Sequence, residues 1–141
     1  MLWKLCTRPG VTVSPDATAE EAARAMRTKN VGAVVVVRDG RPAGILTDRD
    51  VAIGVVGHAR NPALVKVGEV MRKNPTVIQE DAGILDAARL LGKKGVRRLP
   101  VVNTRGELTG IISLDDILVL LTSEMAHIGS TLSQEMRRPT P

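Results

Sequence analysis

Five consecutive apolar residues, Ala33-Val34-Val35-Val36-Val37, stand between Gly32 and the pair Asp39-Gly40. A short β-branched run bounded by turn signals predicts a strand buried on both faces. Asp-Gly predicts a two-residue hairpin turn that returns the chain over 43–46. Upstream, residues 11–13 predict a short strand, and Ser14-Pro15-Asp16 turn the chain. Thr18-Ala19-Glu20-Glu21 has the form of a capping box, in which hydroxyl and carboxylate satisfy free amides at a helix start. The helix it opens runs to about Lys29, with Ala22, Ala25, Met26 and Lys29 near one face, and stops at Asn30-Val31-Gly32. Thr47 then opens a second helix over 48–55, interrupted near Gly54 and Gly57.

The same succession returns further on. Asp16 recurs as Asp81, and the same offset carries Ala22-Ala23 onto Ala87-Ala88 and Met26 onto Leu91. Gly44-Ile45-Leu46-Thr47 recurs as Gly110-Ile111-Ile112-Ser113 at an offset one residue larger, so the second hairpin holds an extra residue. Leu2-Trp3-Lys4-Leu5-Cys6 likewise has a counterpart in Val67-Gly68-Glu69-Val70-Met71. The second copy predicts strands at 76–78, 98–102 and 108–112, and helices at 84–94 and from 114 to about 127. Gly83 replaces Thr18, a cap weaker by about a few tenths of a kcal/mol.

The expected architecture is α/β of the α+β type, two β-α-β-β-α repeats related by a pseudo-twofold axis. The first repeat with its entry segment spans 1–57 and the second 75–128. Residues 58–74 read as a connector with a helical turn over 68–71. Beyond Ile128, the tail over 129–141 shows no periodic apolar face and reads as flexible.

The chemistry concentrates in Gly44-Ile45-Leu46-Thr47-Asp48-Arg49-Asp50 and Gly110-Ile111-Ile112-Ser113-Leu114-Asp115-Asp116. In each, a hydroxyl ends a strand and a carboxylate follows in the first turn of a helix. Free amides and the helix dipole there make a modest anion site, worth about 0.3–1 kcal/mol. The carboxylate can accept two hydrogen bonds from a vicinal diol, at about 1.5–3 kcal/mol each. A ribose phosphate carries both groups. Thr47-x-x-Asp50 and Ser113-x-x-Asp116 equally have the form of capping boxes, and one residue can serve both purposes.

These residues, with the Pro15-Asp16-Ala17-Thr18 start, the Ala-Ala helix and Arg98-Leu99-Pro100-Val101-Val102, make the chain resemble a tandem pair of cystathionine-β-synthase (CBS) domains. The resemblance covers nearly all of the chain. It implies two sheets packed through their faces with helices outside, and clefts between the repeats that bind adenosine-containing ligands in many relatives. It also implies that Asp50 and Asp116 hold ribose hydroxyls, that Thr47 and Ser113 touch phosphate, and that Thr12 and Thr76 meet the adenine. Arg49, Arg97 and Arg98 are placed to meet phosphates, or else to lie at a solvated strand edge or in ion pairs. Which first strand serves which cleft stays open, since strands can cross between repeats.

Composition narrows the function classes. At 43% hydrophobic and 25% charged, the chain is ordinary globular protein, yet it has no Phe, no Tyr and a single Trp3, so aliphatic residues must fill the core. A formal net charge of +5 favours anionic partners, but without aromatic residues among the scattered basic ones the stacking surface of single-strand binders is missing. No apolar run approaches the roughly 18 residues of a membrane span, and the expected compartment is the cytoplasm. One cysteine, Cys6, and two histidines argue against a disulfide or zinc site, and Cys6 reads as a small packing residue. No nucleophile stands beside a base, which argues against an enzyme.

The expected function is therefore a regulatory module sensing AMP, ADP or ATP, with S-adenosylmethionine or NAD behind them and no required cofactor. The competing reading is an unliganded interaction module. The resemblance implies a homodimer through the helices of both repeats, and the apolar stretch Ile117-Leu118-Val119-Leu120-Leu121 independently reads as a contact surface, for another copy or a separate effector protein.

Overall fold

A computed structural model describes residues 10–137. The entry segment 2–6 and Cys6 lie outside the described residues. The first repeat comprises β1 (Thr12–Val13), α1 (Ala19–Lys29), β2 (Ala33–Arg38), β3 (Arg41–Thr47) and α2 (Asp48–Gly54). After a 3-10 turn at Val56–His58 come α3 (Val67–Val70) and β4 (Arg72–Lys73). The second repeat comprises β5 (Ile78–Gln79), α4 (Ile84–Lys94), β6 (Arg98–Val102), β7 (Leu108–Ser113) and α5 (Leu114–Met136).

The duplicated pattern yields two sheets, of order β1-β2-β3-β4 and β5-β6-β7. In each, the first strand runs parallel to the second, which pairs antiparallel with the third. First strands therefore stay in the sheet of their own repeat. Alternation along the central strands divides the core. Val34, Val36 and Leu46 pack with Ala22, Met26 and Val67 beneath the helices of the first repeat. Leu99, Val101 and Ile112 pack with Ala87, Leu91 and Ile117 in the second. The opposite faces meet each other, with Val35 and Ile45 across from Pro100 and Ile111. β2 is thus covered on both sides, as its valine run requires.

Several boundaries follow their expected chemistry. Asp39 and Gly40 both take positive φ, 52° and 77°, as a tight hairpin between Arg38 and Arg41 demands. The longer second hairpin is organised by Asn103, whose Oδ1 accepts from the amides of Arg105 and Glu107 at 2.9 and 3.0 Å. Its tip meets the first hairpin, the Leu108 amide donating to the Gly40 carbonyl at 2.9 Å. On α1 the buried positions are Ala19, Ala22 and Met26, whereas Lys29 is exposed, so the buried face is shifted from the expected one.

Three expectations are corrected. The strand at 76–78 begins later, at Ile78, because Pro100 stands where Val35 stood. The Val35 amide donates to the Val11 carbonyl at 3.1 Å; proline has no amide to make the matching bond to Thr76. The connector is not a free spacer but packs against the first repeat. The Val65 carbonyl accepts from Ala19 at 2.8 Å, Val67 donates to Ala17 at 2.8 Å, and β4 adds a fourth strand alongside β3. Gly44 permits that approach: a Cβ there would stand 2.8 Å from the Arg72 carbonyl oxygen.

The tail, finally, is helical to Met136. Leu121, Met125, Ile128, Leu132 and Met136 recur at helical spacing, and the hydroxyls of Thr122 and Thr131 donate to carbonyls within the helix at 2.8 and 3.1 Å.

Candidate functional site

The strand-end hydroxyls sit where the sequence places them. Thr47 Oγ1 accepts the Asp50 amide at 3.1 Å while Asp50 Oδ2 accepts the Thr47 amide at 3.0 Å. Ser113 and Asp116 repeat the exchange at 3.1 and 2.9 Å. Both pairs are thus formed capping boxes, which fix the carboxylate rotamers. They also close the anion site expected from free amides at α2. The Asp48 amide donates to the Gly32 carbonyl at 2.9 Å and the Arg49 amide to Asp48 Oδ1 at 2.8 Å. What remains for a ligand there is the Thr47 O–H and the outer lone pairs of Asp50.

Asp50 is largely buried, and its Oδ1 accepts from Arg72 Nε at 3.3 Å. This ion pair divides two adjoining cavities. The first, about 410 Å³, is walled by Ile45 and Thr47 of the first repeat, by Arg72 to Asn74, and by Thr76, Val96, Arg97 and Arg98 of the second repeat. The second, about 500 Å³, is lined by Arg49, Asp50, His58, Arg60, Glu69 and Arg72 above Ile53 and Val70. Here Arg60 pairs with Glu69 at 3.0 Å. A hydrogen bond from the Lys66 amide, and then the Arg60 guanidinium, hold the Glu69 carboxyl below the usual carboxylate range. His58 Nδ1 bonds the Ile53 carbonyl at 2.8 Å, so that nitrogen carries the proton.

The structure thus brings Thr47, Thr76, Arg97 and Arg98 around one cleft, with Asp50 and Arg49 immediately beyond Arg72. Arg97 also pairs with Asp115 at 3.3 Å, both side chains well exposed. Thr12 lies elsewhere, in a smaller cavity of about 220 Å³ with Gly40 and Thr109. The two repeats are not equivalent as sites. The Val11 carbonyl is used by Val35, whereas no described residue donates to the Thr76 carbonyl. Beside Ile111, the counterpart of Ile45, a Cβ on Gly10 would lie 2.6 Å from Ile111 Cδ1, so the chain closes over that position.

Sequence reasoning missed Arg72, Arg60, His58 and Glu69, all in or next to the segment read as a connector. One signal was available: Lys66-Val67-Gly68-Glu69 has capping spacing, and Glu69 Oε2 does accept the Lys66 amide at 2.7 Å. Nothing in the local pattern around Arg72 points to Asp50.

Two face-packed α+β repeats, each ending its third strand in a capped hydroxyl and carboxylate, with a cleft built from both, define a tandem binding module. Residues 3–57 and 67–123 each match the CBS domain, and the chain belongs to that family. It is 35% identical over 136 residues to an uncharacterized protein, MK0525, of Methanopyrus kandleri, covering 96% of this chain and 67% of that one. It is 39% identical over 108 residues to the CBS domain-containing protein YhcV of Bacillus subtilis, 77% of this chain and 76% of that one. Among solved structures, it superposes on the CBS domain protein PAE2072 of Pyrobaculum aerophilum, solved in complex with AMP. The TM-score is 0.74 at 25% identity, covering 86% and 97% of the two chains. No helix among the described residues is long and apolar enough to cross a membrane.

Proposed function

We propose that this chain is a regulatory binding module, not an enzyme, whose cleft between Thr47 and Thr76 takes an adenosine-containing nucleotide, with AMP, ADP or ATP preferred to S-adenosylmethionine or NAD. The observation that carries the reading is that one cleft collects Thr47 from one repeat and Thr76, Arg97 and Arg98 from the other, while the Asp50 carboxylate of the adjoining cavity is bonded to Thr47 and Arg72 of the cleft wall. The open Thr76 carbonyl can accept from an exocyclic amine, Asp50 from a ribose diol, and the arginines can meet phosphate. The AMP complex of PAE2072 supports the ligand class.

Thermal unfolding and isothermal titration against the five ligands test this. Saturating AMP, ADP or ATP is expected to stabilise the fold by about 2.7 kcal/mol at a ligand concentration near a hundred times Kd. No binding by any of them would leave the capping boxes as purely structural and the chain as an interaction module.

The module is further proposed to act as a homodimer. The exposed stripe of Leu121, Met125, Ile128, Leu132 and Met136 on α5 is self-complementary. In an antiparallel pair crossing at Ile128 and Gly129, Leu121 faces Met136 and Met125 faces Leu132. Gly129 has open space around its Cβ position, which permits close approach. Ile128→Glu is expected to weaken the dimer by about 2 kcal/mol or more, read by sedimentation equilibrium. An unchanged mass distribution would move the contact elsewhere or to an effector protein.

A further inference from the structure

The cavity beyond Arg72 carries a surplus of hydrogen-bond donors that the adenosine cleft does not use. Each guanidinium presents five N–H donors. Arg60 commits one to Glu69 and Arg72 one to Asp50, and the Arg49 guanidinium makes no hydrogen bond or ion pair with a described residue. The two carboxylates of this cavity each already accept twice, of about four lone-pair sites. Asp50 accepts from the Thr47 amide on Oδ2 and from Arg72 on Oδ1; Glu69 accepts from Arg60 on Oε1 and from the Lys66 amide on Oε2. Donors therefore outnumber acceptors in this cavity, which favours a ligand that brings several negatively charged acceptors. Neither ion pair is bidentate, so both guanidinium groups can turn toward an incoming oxyanion without first losing a forked contact.

We propose that the Arg49, Arg60 and Arg72 cavity is an oligophosphate site. Its volume of about 500 Å³ and its three arginines suit a chain of linked phosphates better than a single one. Arg72 also lines the adenosine cleft, so the same site can receive either free oligophosphate or the distal phosphates of a nucleotide seated next door. The second case rests on the nucleotide reading above; the first does not.

Isothermal titration at about 0.15 M ionic strength, where exposed charges are screened beyond about 8 Å, separates the two. The probes are inorganic triphosphate, AMP and ATP. The proteins are the parent, Arg49→Gln, Arg60→Gln and, as a charge control at the end of α4, Lys93→Gln with Lys94→Gln, each checked for an intact unfolding transition.

Triphosphate is expected to bind the parent and the lysine control alike, and about tenfold or more weaker to each arginine variant. Absence of triphosphate binding, or equal weakening in the lysine control, overturns the site. If ATP binds more tightly than AMP and Arg60→Gln removes that preference while leaving AMP unchanged, the site holds a nucleotide's distal phosphates. If triphosphate binds through Arg60 but neither nucleotide binds, the oligophosphate site stands and the adenosine reading falls. If AMP and ATP bind equally and triphosphate does not bind, the reverse holds.

Discussion

Leu46→Ala is expected to destabilise the protein by about 2–5 kcal/mol, the range for truncating a fully buried leucine whose surroundings cannot collapse into the space. Leu46 has no exposed surface and packs among Ala22, Met26, Val34, Val36 and Val67, side chains drawn from α1, β2 and the segment following the repeat. With aliphatic groups alone around it, no large neighbouring ring is at hand to swing inward. A loss of this size is a substantial part of the roughly 5–15 kcal/mol that holds a domain folded. The midpoint in thermal unfolding should fall by about 10 °C. Leu64→Ala is the control: Leu64 is 78% exposed, and its truncation should change stability by less than about 0.5 kcal/mol. Equal effects from the two would show that the first-repeat core is not the one described. Leu46 immediately precedes Thr47, so ligand affinity in Leu46→Ala also reports how firmly the core holds the site.

Asp50→Ala should lower nucleotide affinity by about a hundredfold, and Asp116→Ala by less than about threefold. Two hydrogen bonds from a ribose diol to an ionised carboxylate, at about 1.5 kcal/mol or more each, set the first figure. The asymmetry comes from the first strands. Pro100 leaves the Thr76 carbonyl open beside the Asp50 cleft, whereas the Val11 carbonyl is already bonded to Val35 and Gly10 is pressed against Ile111. Each substitution removes half of a capping box, so similar losses of stability, about 1 kcal/mol, are expected from both. Unfolding experiments on the unliganded variants separate that shared cost from binding. Affinity lost with Asp116→Ala instead would assign the ligand to the other cleft. Equal, small effects in both would reduce the two motifs to helix caps.

Much of this arrangement is legible in local pattern. The valine run, Asp39-Gly40, the box at Thr18 and the duplicated Gly-x-x-hydroxyl-x-x-Asp segments each specify their conformation through neighbours a few residues away, and all form as expected. Two misjudged places have non-local causes. Strand β5 starts late because a proline in β6 cannot donate to it, and β4 exists because Gly44 leaves room for a strand to lie beside β3. The helical tail is a different case, since its apolar spacing was present in the chain from Leu121 to Met136 but is interrupted by Gly129 and several hydroxyl residues.

The candidate site divides along the same line. Thr47 with Asp50 and Ser113 with Asp116 are local constructions, three residues apart, and their capping geometry follows from short-range hydrogen bonds that the residue types dictate. Sequence alone therefore established the two repeats, the β-α-β-β-α order within each and the paired hydroxyl and carboxylate at each strand end. Folding decided everything that depends on distant segments meeting. It set Thr76 and Arg97 across a cleft from Thr47, brought Arg72 onto Asp50 through the added strand β4, and gathered three arginines beside Glu69. It also made the two halves unequal, because one missing amide, at Pro100, acts on a carbonyl far away in the chain.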